Sequence, residues 1–362
     1  MTEQNARSES ADHSASFLRT LQIAQKQRQP LYITAGGSKR HLMGRDCECQ
    51  ELDVSGHRGI VDYQPSELVI TARAGTPLTE IAAALDQFNQ ELSFEPPLFG
   101  GRATLGGTLA CNISGPARPW GGSIRDRVLG VSLINGKGEQ LHFGGKVMKN
   151  VAGYDVSRLQ AGALGTLGVL CEVSVKVAPK PQETLTLCYA MSMTEAISCM
   201  NRRAGEPKPL SGACWLDGHL YLRLSGAASA VHSTAKQWGG SVLAQSETPW
   251  EGLREMSLPF FAGDAPLWRL SLQSSAPVHN RAAAMLIDWC GSQRWLRGNY
   301  EWQTMQRAAA ISGGHVTLYR GGNRDAEVRS PLGAVEQRLQ QRLKQAFDPN
   351  GILNPGRLYS WL

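Results

Sequence analysis

Three glycine-bearing stretches carry the chemistry that this chain offers. The first is Ala35-Gly36-Gly37-Ser38-Lys39, which follows directly on the β-rich run Leu31-Tyr32-Ile33-Thr34. A strand that ends in a Gly-Gly loop with a hydroxyl and an ammonium can turn successive backbone N–H groups toward a phosphate. The same residues also make an ordinary turn, and that reading stays open. The second stretch spans Gly100 to Gly130, holds eight of the chain's 39 glycines and includes Leu105-Gly106-Gly107-Thr108. The third is Gly165-Thr166-Leu167-Gly168. Glycine loses more conformational freedom on folding than any other residue, so such density points to backbone at positive φ or to backbone lying against a ligand. Gly-rich surface turns or a bulged sheet edge are the alternatives.

Other chemistries lack their spacing. No G-x-G-x-x-G follows a strand and no G-x-x-x-x-G-K-[ST] occurs, so Rossmann and Walker-type binding are unsupported. The eight histidines form no HExxH or comparable pair, which leaves zinc unsupported. Eight cysteines are scattered too widely for a disulfide framework and contain no CxxCxxC run, so the chain by itself cannot ligate an ordinary iron–sulfur cluster. The close pair Cys47 and Cys49 reads as incidental. A net charge of +6 without a long basic run does not indicate nucleic acid, although a mildly basic face suits an anionic substrate or an acidic partner. No apolar run approaches the roughly 18 residues of a membrane span, and the first residues are polar rather than a signal core, so the expected location is the cytoplasm.

At 362 residues the chain exceeds the usual single-core limit, and two domains are expected. Residues 1–15 read as a disordered tail, followed by a short helix with Leu18 and Leu21 on its apolar face and stopped by Pro30. Strand Leu31–Thr34 leads into the first loop. Three more β-rich runs, Glu51–Val54, Gly59–Tyr63 and Leu68–Ala72, precede a helix that Thr76 caps and Pro77 opens. Val128–Ile134 and Glu139–Phe143 read as a hairpin turning at Asn135-Gly136 in a type I′ turn. Val169–Val177 is a long strand, and Pro179-Lys180-Pro181 marks a boundary. Beyond it, strand 184–190, helix 194–203, strands 213–216 and 220–224 and helix 228–238 suggest a βαββα antiparallel sheet with helices on one face, extended by 266–272 and 282–290. A last helix, 331–347, precedes the turn-rich Asp348-Pro-Asn-Gly-Ile-Leu-Asn-Pro-Gly-Arg357.

Five ordered motifs, Ala35-Gly36-Gly37-Ser38, Leu105-Gly106-Gly107-Thr108-Leu-Ala110-Cys-Asn112, Arg125-Asp126-x-Val-Leu-Gly130, Gly153-Tyr154-Asp155 with Gly165–Val169, and the closing Asp348–Arg357, resemble the FAD-binding (PCMH-type) flavoprotein family. Within it, Arg118–Asp126 and Phe143–Asp155 are similar to the flavin subunits of multi-subunit bacterial glycolate oxidases. The resemblance implies an α+β fold: a vanillyl-alcohol-oxidase-like FAD domain over 16–180, a ferredoxin-like α+β cap over 183–340, and a tail, 341–362, returning to the FAD site. It implies a pyrophosphate held by Ala35, Gly36, Gly37, Ser38 and Lys39. Further FAD contacts are implied at Pro97, Gly106, Gly107, Thr108, Ala110, Asn112, Arg125, Asp126, Gly165, Thr166, Gly168, Val169, Asn354 and Arg357. Relatives with covalent flavin carry a histidine after the Gly-Gly pair. Here that residue is Ser38, so non-covalent FAD is expected.

The resemblance further implies a subunit that takes part in oxidising glycolate, a small 2-hydroxy acid, to glyoxylate. Its implied partners are a homologous FAD-linked catalytic subunit and an iron–sulfur subunit, with membrane contact only through them. A non-catalytic flavoprotein scaffold or relay, and a stand-alone alcohol or sugar-acid oxidase, are the alternatives. Such oxidation needs a base near the hydroxyl and a cation for the carboxylate. The His-x-Gly-Asp-Gly-Asn metal motif of related 2-hydroxy-acid dehydrogenases is missing from this sequence. Gly313-Gly-His315-Val-Thr-Leu-Tyr-Arg320 offers His315 as a candidate base, with a structural histidine as the competing role. Lys149, Arg125 and Arg158 are further carboxylate candidates, with surface exposure or salt bridges as theirs. The segment Trp289 to Trp295 reads as core or interface.

Overall fold

The computed structural model describes residues 12–145, 155–278 and 284–362. Lys149 and the pair Gly153-Tyr154 lie outside the described residues. Helix α1 (Ser14–Gln27) begins two residues inside the expected tail. Asp12 Oδ1 accepts from the Ser14 N–H at 2.9 Å, and the His13 N–H donates to Nδ1 of the buried His57 at 3.0 Å. Phe17, Leu21 and Ala24 form the buried stripe of α1, the helix expected after the tail, which Ser14 and Ala15 extend back into it.

Strands β1 (Leu31–Thr34) and β2 (Gln50–Asp53) pair in parallel and make a small unit of their own. Next come β3 (Ile60–Gln64), β4 (Val69–Arg73), α2 (Leu78–Asp86), β5 (Gln90–Glu91), α3 (Leu105–Cys111), α4 (Arg118–Gly121), α5 (Ile124–Arg127), β6 (Val128–Ile134) and β7 (Gln140–Gly144). The half closes with α6 (Val156–Leu159), β8 (Val169–Lys176) and β9 (Ala178–Pro179). Five of these strands form an antiparallel sheet in the order β3-β4-β8-β6-β7. Its apolar face packs on α2 and α3, burying Ile70, Leu78, Ile81, Leu85, Leu109, Val131 and Val173 together.

Two local expectations give way to tertiary demands. The N-cap of α2 is Pro77, not Thr76. The buried Thr76 hydroxyl serves Gly59 instead, accepting from its N–H at 2.9 Å and donating to its carbonyl at 3.2 Å. The hairpin between β6 and β7 is a five-residue loop, not a type I′ turn. Asn135 Oδ1 accepts from the N–H groups of Lys137 (2.9 Å) and Glu139 (3.0 Å), and the left-handed residue is Gly138. The Gly136 N–H is drawn to the Phe347 carbonyl at 2.9 Å, so docking of the C-terminal helix sets the loop.

The second half repeats one topology twice. Strands β10 (Glu183–Ala190), β11 (Leu210–Leu216), β12 (His219–Gly226) and β13 (Ser241–Leu243), with α7 (Met193–Ala204) and α8 (Ala228–Trp238), lie in the order β13-β10-β12-β11. That is the 4-1-3-2 order of a βαββαβ ferredoxin-like unit. After α9 (Trp250–Glu255), strands β14 (Leu267–Ser271), β15 (Met285–Asp288), β16 (Gln293–Arg297) and β17 (His315–Arg320), with α10 (Trp302–Ile311), lie as β15-β16-β14-β17, the same order reversed. No helix lies between β14 and β15 among the described residues. The two units join edge to edge where Trp215 faces Ile287, giving one eight-stranded sheet. Helix α11 (Ala334–Phe347) buries only Lys344. No helix among the described residues is long and apolar enough to cross a membrane.

Candidate functional site

The loop after β1, the N-terminal turn of α3, the Leu164–Gly168 turn and the C-terminal tail enclose a cleft. Its glycines have identifiable tasks. A Cβ on Gly36 would sit 1.8 Å from the Arg102 carbonyl oxygen, and one on Gly106 would sit 2.6 Å from Ala74 Cβ. Gly36 therefore lets the β1 loop touch the chain leading into α3, and Gly106 lets α3 touch the end of β4. Gly37 differs: its φ is +65° and a Cβ there would meet nothing within 4 Å. It holds the loop in a left-handed bend beside open cleft. Thr104 caps α3, its hydroxyl accepting from the Gly107 N–H at 3.2 Å.

Four cations border the cleft: Arg102 is exposed, and two of the other three are already engaged. Arg357 donates to the carbonyls of Arg40 and Arg45 and lies over the Tyr32 ring, while Arg40 pairs with Glu51 and covers the same ring. Lys39 is only 8% exposed, and burial lowers the pKa of its ammonium. Its contacts are the Ser38 hydroxyl at 3.4 Å and the Phe99 ring at 5.6 Å, and among the described residues it forms no ion pair. A buried cation without a carboxylate is costly, and an anionic ligand in the cleft would offset that cost.

The tail fastens the opposite wall. The Asn354 side chain accepts from the Ile33 N–H at 2.7 Å and donates to the Leu164 carbonyl at 2.6 Å, so one amide ties β1 to the Leu164–Gly165 turn. Leu353 bridges Leu31 in parallel. Lys344 Nζ donates to the carbonyls of Thr166 (2.9 Å) and Leu353 (2.8 Å) and pairs with the buried Asp348 at 2.7 Å. Asp348 in turn accepts from the N–H groups of Ile352 and Leu353. This satisfied ionic lock orients the last turn of chain against the cleft.

Residues 10–144 match the FAD binding domain family, and residues 311–358 match the C-terminal domain of FAD linked oxidases. The chain is 46% identical over 351 residues to the glycolate oxidase subunit GlcE of Escherichia coli, covering 97% of this chain and 99% of that protein. The chain belongs to the PCMH-type FAD-linked oxidase family. Its cofactor is FAD. A D-lactate dehydrogenase of Archaeoglobus fulgidus is 23% identical, covering 93% of this chain and 88% of that one. A solved alkyldihydroxyacetonephosphate synthase shares the fold, with a TM-score of 0.63 at 15% identity over 93% of this chain and 73% of that one. The cleft fits a dinucleotide in its glycine-bared loops and in a buried Lys39 that forms no ion pair among the described residues.

Of the residues expected at the cofactor, Ala35, Gly36, Gly37, Ser38, Lys39, Gly106, Gly107, Ala110, Gly165, Gly168, Asn354 and Arg357 line this cleft. The others do not. Pro97 lines a second cavity. Thr108 is buried inside α3, and Asn112 ends that helix at φ +50°. Asp126 is the capping partner of Ser123, whose N–H and hydroxyl both donate to it at 2.8 Å and hold its pKa low. Arg125 is exposed. The Thr166 hydroxyl donates to the Ala163 carbonyl, and Val169 is buried at the start of β8. His315 is exposed at the far end of β17. Arg320, at the near end, bridges to Leu42, so about 16 Å of extended strand separates His315 from that point. The Arg320 guanidinium donates to the Phe261 carbonyl, and Arg158 pairs with Asp155 at 3.1 Å.

The cleft also uses Tyr32, Arg40, Arg102, Thr104 and Cys111, which pattern reading passed over. Two carried a signal. Thr104 stands three residues before Gly107, a hydroxyl N-cap pattern. Cys111 lies one helical turn after Gly107 and shares its face.

Proposed function

We propose that this chain is the FAD-binding subunit of a multi-subunit glycolate oxidase that converts glycolate, a small 2-hydroxy acid, to glyoxylate. What carries the reading is 46% identity to GlcE over nearly the whole of both chains, joined to a glycine-walled cleft with a buried Lys39 that forms no ion pair among the described residues. Residues 16–180 with the tail 341–362 form the flavin half, and 183–340 cap it from the substrate side. The loop Ala35–Lys39 holds the pyrophosphate with backbone N–H groups and the Lys39 charge. Asn354 and Arg357 position that loop rather than bind directly, because their polar atoms already serve backbone carbonyls and an N–H group. With Ser38 after the Gly-Gly pair, the FAD is non-covalent. When bound, it supplies the hydride acceptor. The partners are a homologous FAD-linked catalytic subunit and an iron–sulfur subunit, the latter because this chain has no cluster motif of its own.

A second reading, a flavoprotein scaffold or relay beside a catalytic subunit, is favoured by one observation: the expected base, His315, stands exposed at a strand end away from the cleft. One experiment separates the two. The isolated chain should be yellow, and its flavin should be released by acid. Anaerobic glycolate should then bleach it if substrate is oxidised here. A flavin that stays oxidised until partner subunits are added assigns the relay role, and a colourless protein with no affinity for FAD overturns both.

A further inference from the structure

Helix α9, between the two ferredoxin-like units, ends in an acid. Its last residue is Glu255, because Met256 turns left-handed at φ +55° and stops the helix. A carboxylate at the C-terminal end of a helix meets the negative end of the dipole, so the helix gains nothing from it there. Glu255 reaches across to the flavin half instead. Its Oε2 accepts from the N–H groups of Leu98 (3.1 Å) and Phe99 (2.7 Å), and its Oε1 accepts from Leu98 (3.0 Å) and from Arg254 Nε (2.8 Å). The side chain is only 17% exposed, and charge-assisted bonds of this kind are among the strong ones. The apolar side of α9, Trp250 and Leu253, packs in a core that also holds Leu42, Met43 and Leu164 of the flavin half, which fixes the helix in place.

The segment that Glu255 grips leads into the flavin cleft. Phe99, Gly100 and Gly101 are three successive residues with φ of +48°, +64° and +79°. Glycine adopts such values freely, whereas a phenylalanine does so where its surroundings impose it. Here the imposing contact is its own N–H on Glu255. The turn closes through the Arg102 N–H to the Phe99 carbonyl (3.4 Å) and the Ala103 N–H to the Leu98 carbonyl (3.1 Å). Both of its arms then meet the loop after β1: the Arg102 carbonyl is the group that Gly36 approaches, and the Phe99 ring centre lies 5.6 Å from Lys39 Nζ. Just before the turn, Pro97 lines a small cavity at the seam of the two halves, together with Arg254, Ser114, Arg269, Asp288 and Trp295. The end of α3 separates this cavity from the cleft, with Ile113 on one side and Cys111 on the other.

Lys39 therefore sits in surroundings that the cap half partly supplies. Burial lowers the pKa of its ammonium, and Cys111 from α3 and Glu255 from α9 are the titratable groups that act in the opposite direction. The Ser38 hydroxyl and the Phe99 ring are its other contacts.

We propose that Glu255 is a positioning residue for the cofactor: it holds Phe99 against Lys39 and so keeps the ammonium directed at the FAD pyrophosphate. FAD affinity thereby depends on the seating of the cap half on the flavin half. The assignment rests on the placement of the pyrophosphate at Ala35–Lys39 and adds a residue from the other half of the chain.

The test is a double-mutant cycle on the full chain, freed of flavin and titrated with FAD by flavin fluorescence. Glu255→Gln, which removes the charge and one acceptor but keeps the shape, should weaken FAD at least fivefold. The same change beside Lys39→Met should weaken it no more than twofold. The pH profile is the second readout. Wild-type affinity should fall as pH rises through the Lys39 pKa. Loss of the Glu255 charge lowers that pKa, so in Glu255→Gln the fall should begin at lower pH, and Lys39→Met should lack it. If Glu255→Gln fails to fold, Phe99→Leu, which keeps the backbone N–H and removes the ring, takes its place and should show the same dependence on Lys39. Equal weakening in both backgrounds, or none in either, overturns the proposal, leaves Glu255 a structural contact and keeps the flavin reading. Should Lys39→Met by itself leave FAD affinity unchanged, the placement of the pyrophosphate fails and takes this proposal with it.

Discussion

The flavin cleft and the smaller cavity lie on either side of the end of α3, yet they are built on opposite principles. The cleft is walled by bare backbone: Gly36 and Gly106 let segments approach within Cβ contact, and the tail's polar side chains are consumed in holding carbonyls. The cavity is walled by side chains whose polar atoms are left unmatched. A dinucleotide offers enough surface for many N–H groups and van der Waals contacts to share recognition.

The sharpest way to break the cleft side is Gly36→Ala. Its methyl group would lie 1.8 Å from the Arg102 oxygen, so the loop must move, and we expect loss of folded, flavin-loaded protein, read as soluble yield and the ratio of visible to ultraviolet absorbance. The tail lock comes next. Asp348→Asn leaves the Lys344 ammonium buried without its counter-charge, and unfolding by urea should show a loss of about 3–5 kcal/mol together with easier release of FAD.

On the cavity side, burial raises the Asp288 pKa to about 8 from the model-compound value of 3.8. Native protein therefore holds a proton there that the unfolded chain has released across that interval. Stability should fall as pH rises from about 4 to about 8 and should carry no further contribution from this group above that, by on the order of a few kcal/mol in total. The groups that act on Asp288 are Trp289 N–H, Gln293, Glu95, its ion-pair partner Arg223, and the thiols Cys214 and Cys290, which its charge would push up. Melting temperature against pH should show the slope in wild type, and Asp288→Asn should flatten it.

Lys39→Met tests whether the cleft's buried cation, which forms no ion pair among the described residues, serves the ligand. Removing it should weaken FAD by roughly 10- to 100-fold, as for a lost charge-assisted hydrogen bond, while the apo-chain becomes no less stable because a buried unpaired charge has gone. The smallest effect is expected at Arg125. It is exposed and does not line the cleft, so Arg125→Ala should change stability by no more than about 0.5 kcal/mol and leave flavin content as it was.

Legibility in the sequence followed the range of the interactions. The strand before the Gly-Gly loop, the helix 228–238 and the long strand from Val169 were readable because alternation, helical spacing and turn residues act within a few positions. The doubling of the ferredoxin-like unit was not, because β14–β17 share no visible repeat with β10–β13 and the order of strands is set by pairing across the sheet. Thr76 carried an ideal capping pattern and was diverted by Gly59, 17 residues away. Asn135-Gly136 carried an ideal hairpin pattern and was diverted by Phe347.

By itself, then, the order of residues determined that the bare loops and the closing Asn354 and Arg357 would belong to one neighbourhood. Glycine and capping chemistry write themselves locally, and so they could be read locally. Only the folded chain decided that the Asn354 amide ties Ile33 to Leu164, that His315 is exposed at a strand end, and that Ser114, Arg269, Asp288 and Trp295 meet around one space. Those four residues are drawn from segments up to 181 positions apart, and only the docking of the loop after α3 on the eight-stranded sheet brings them together.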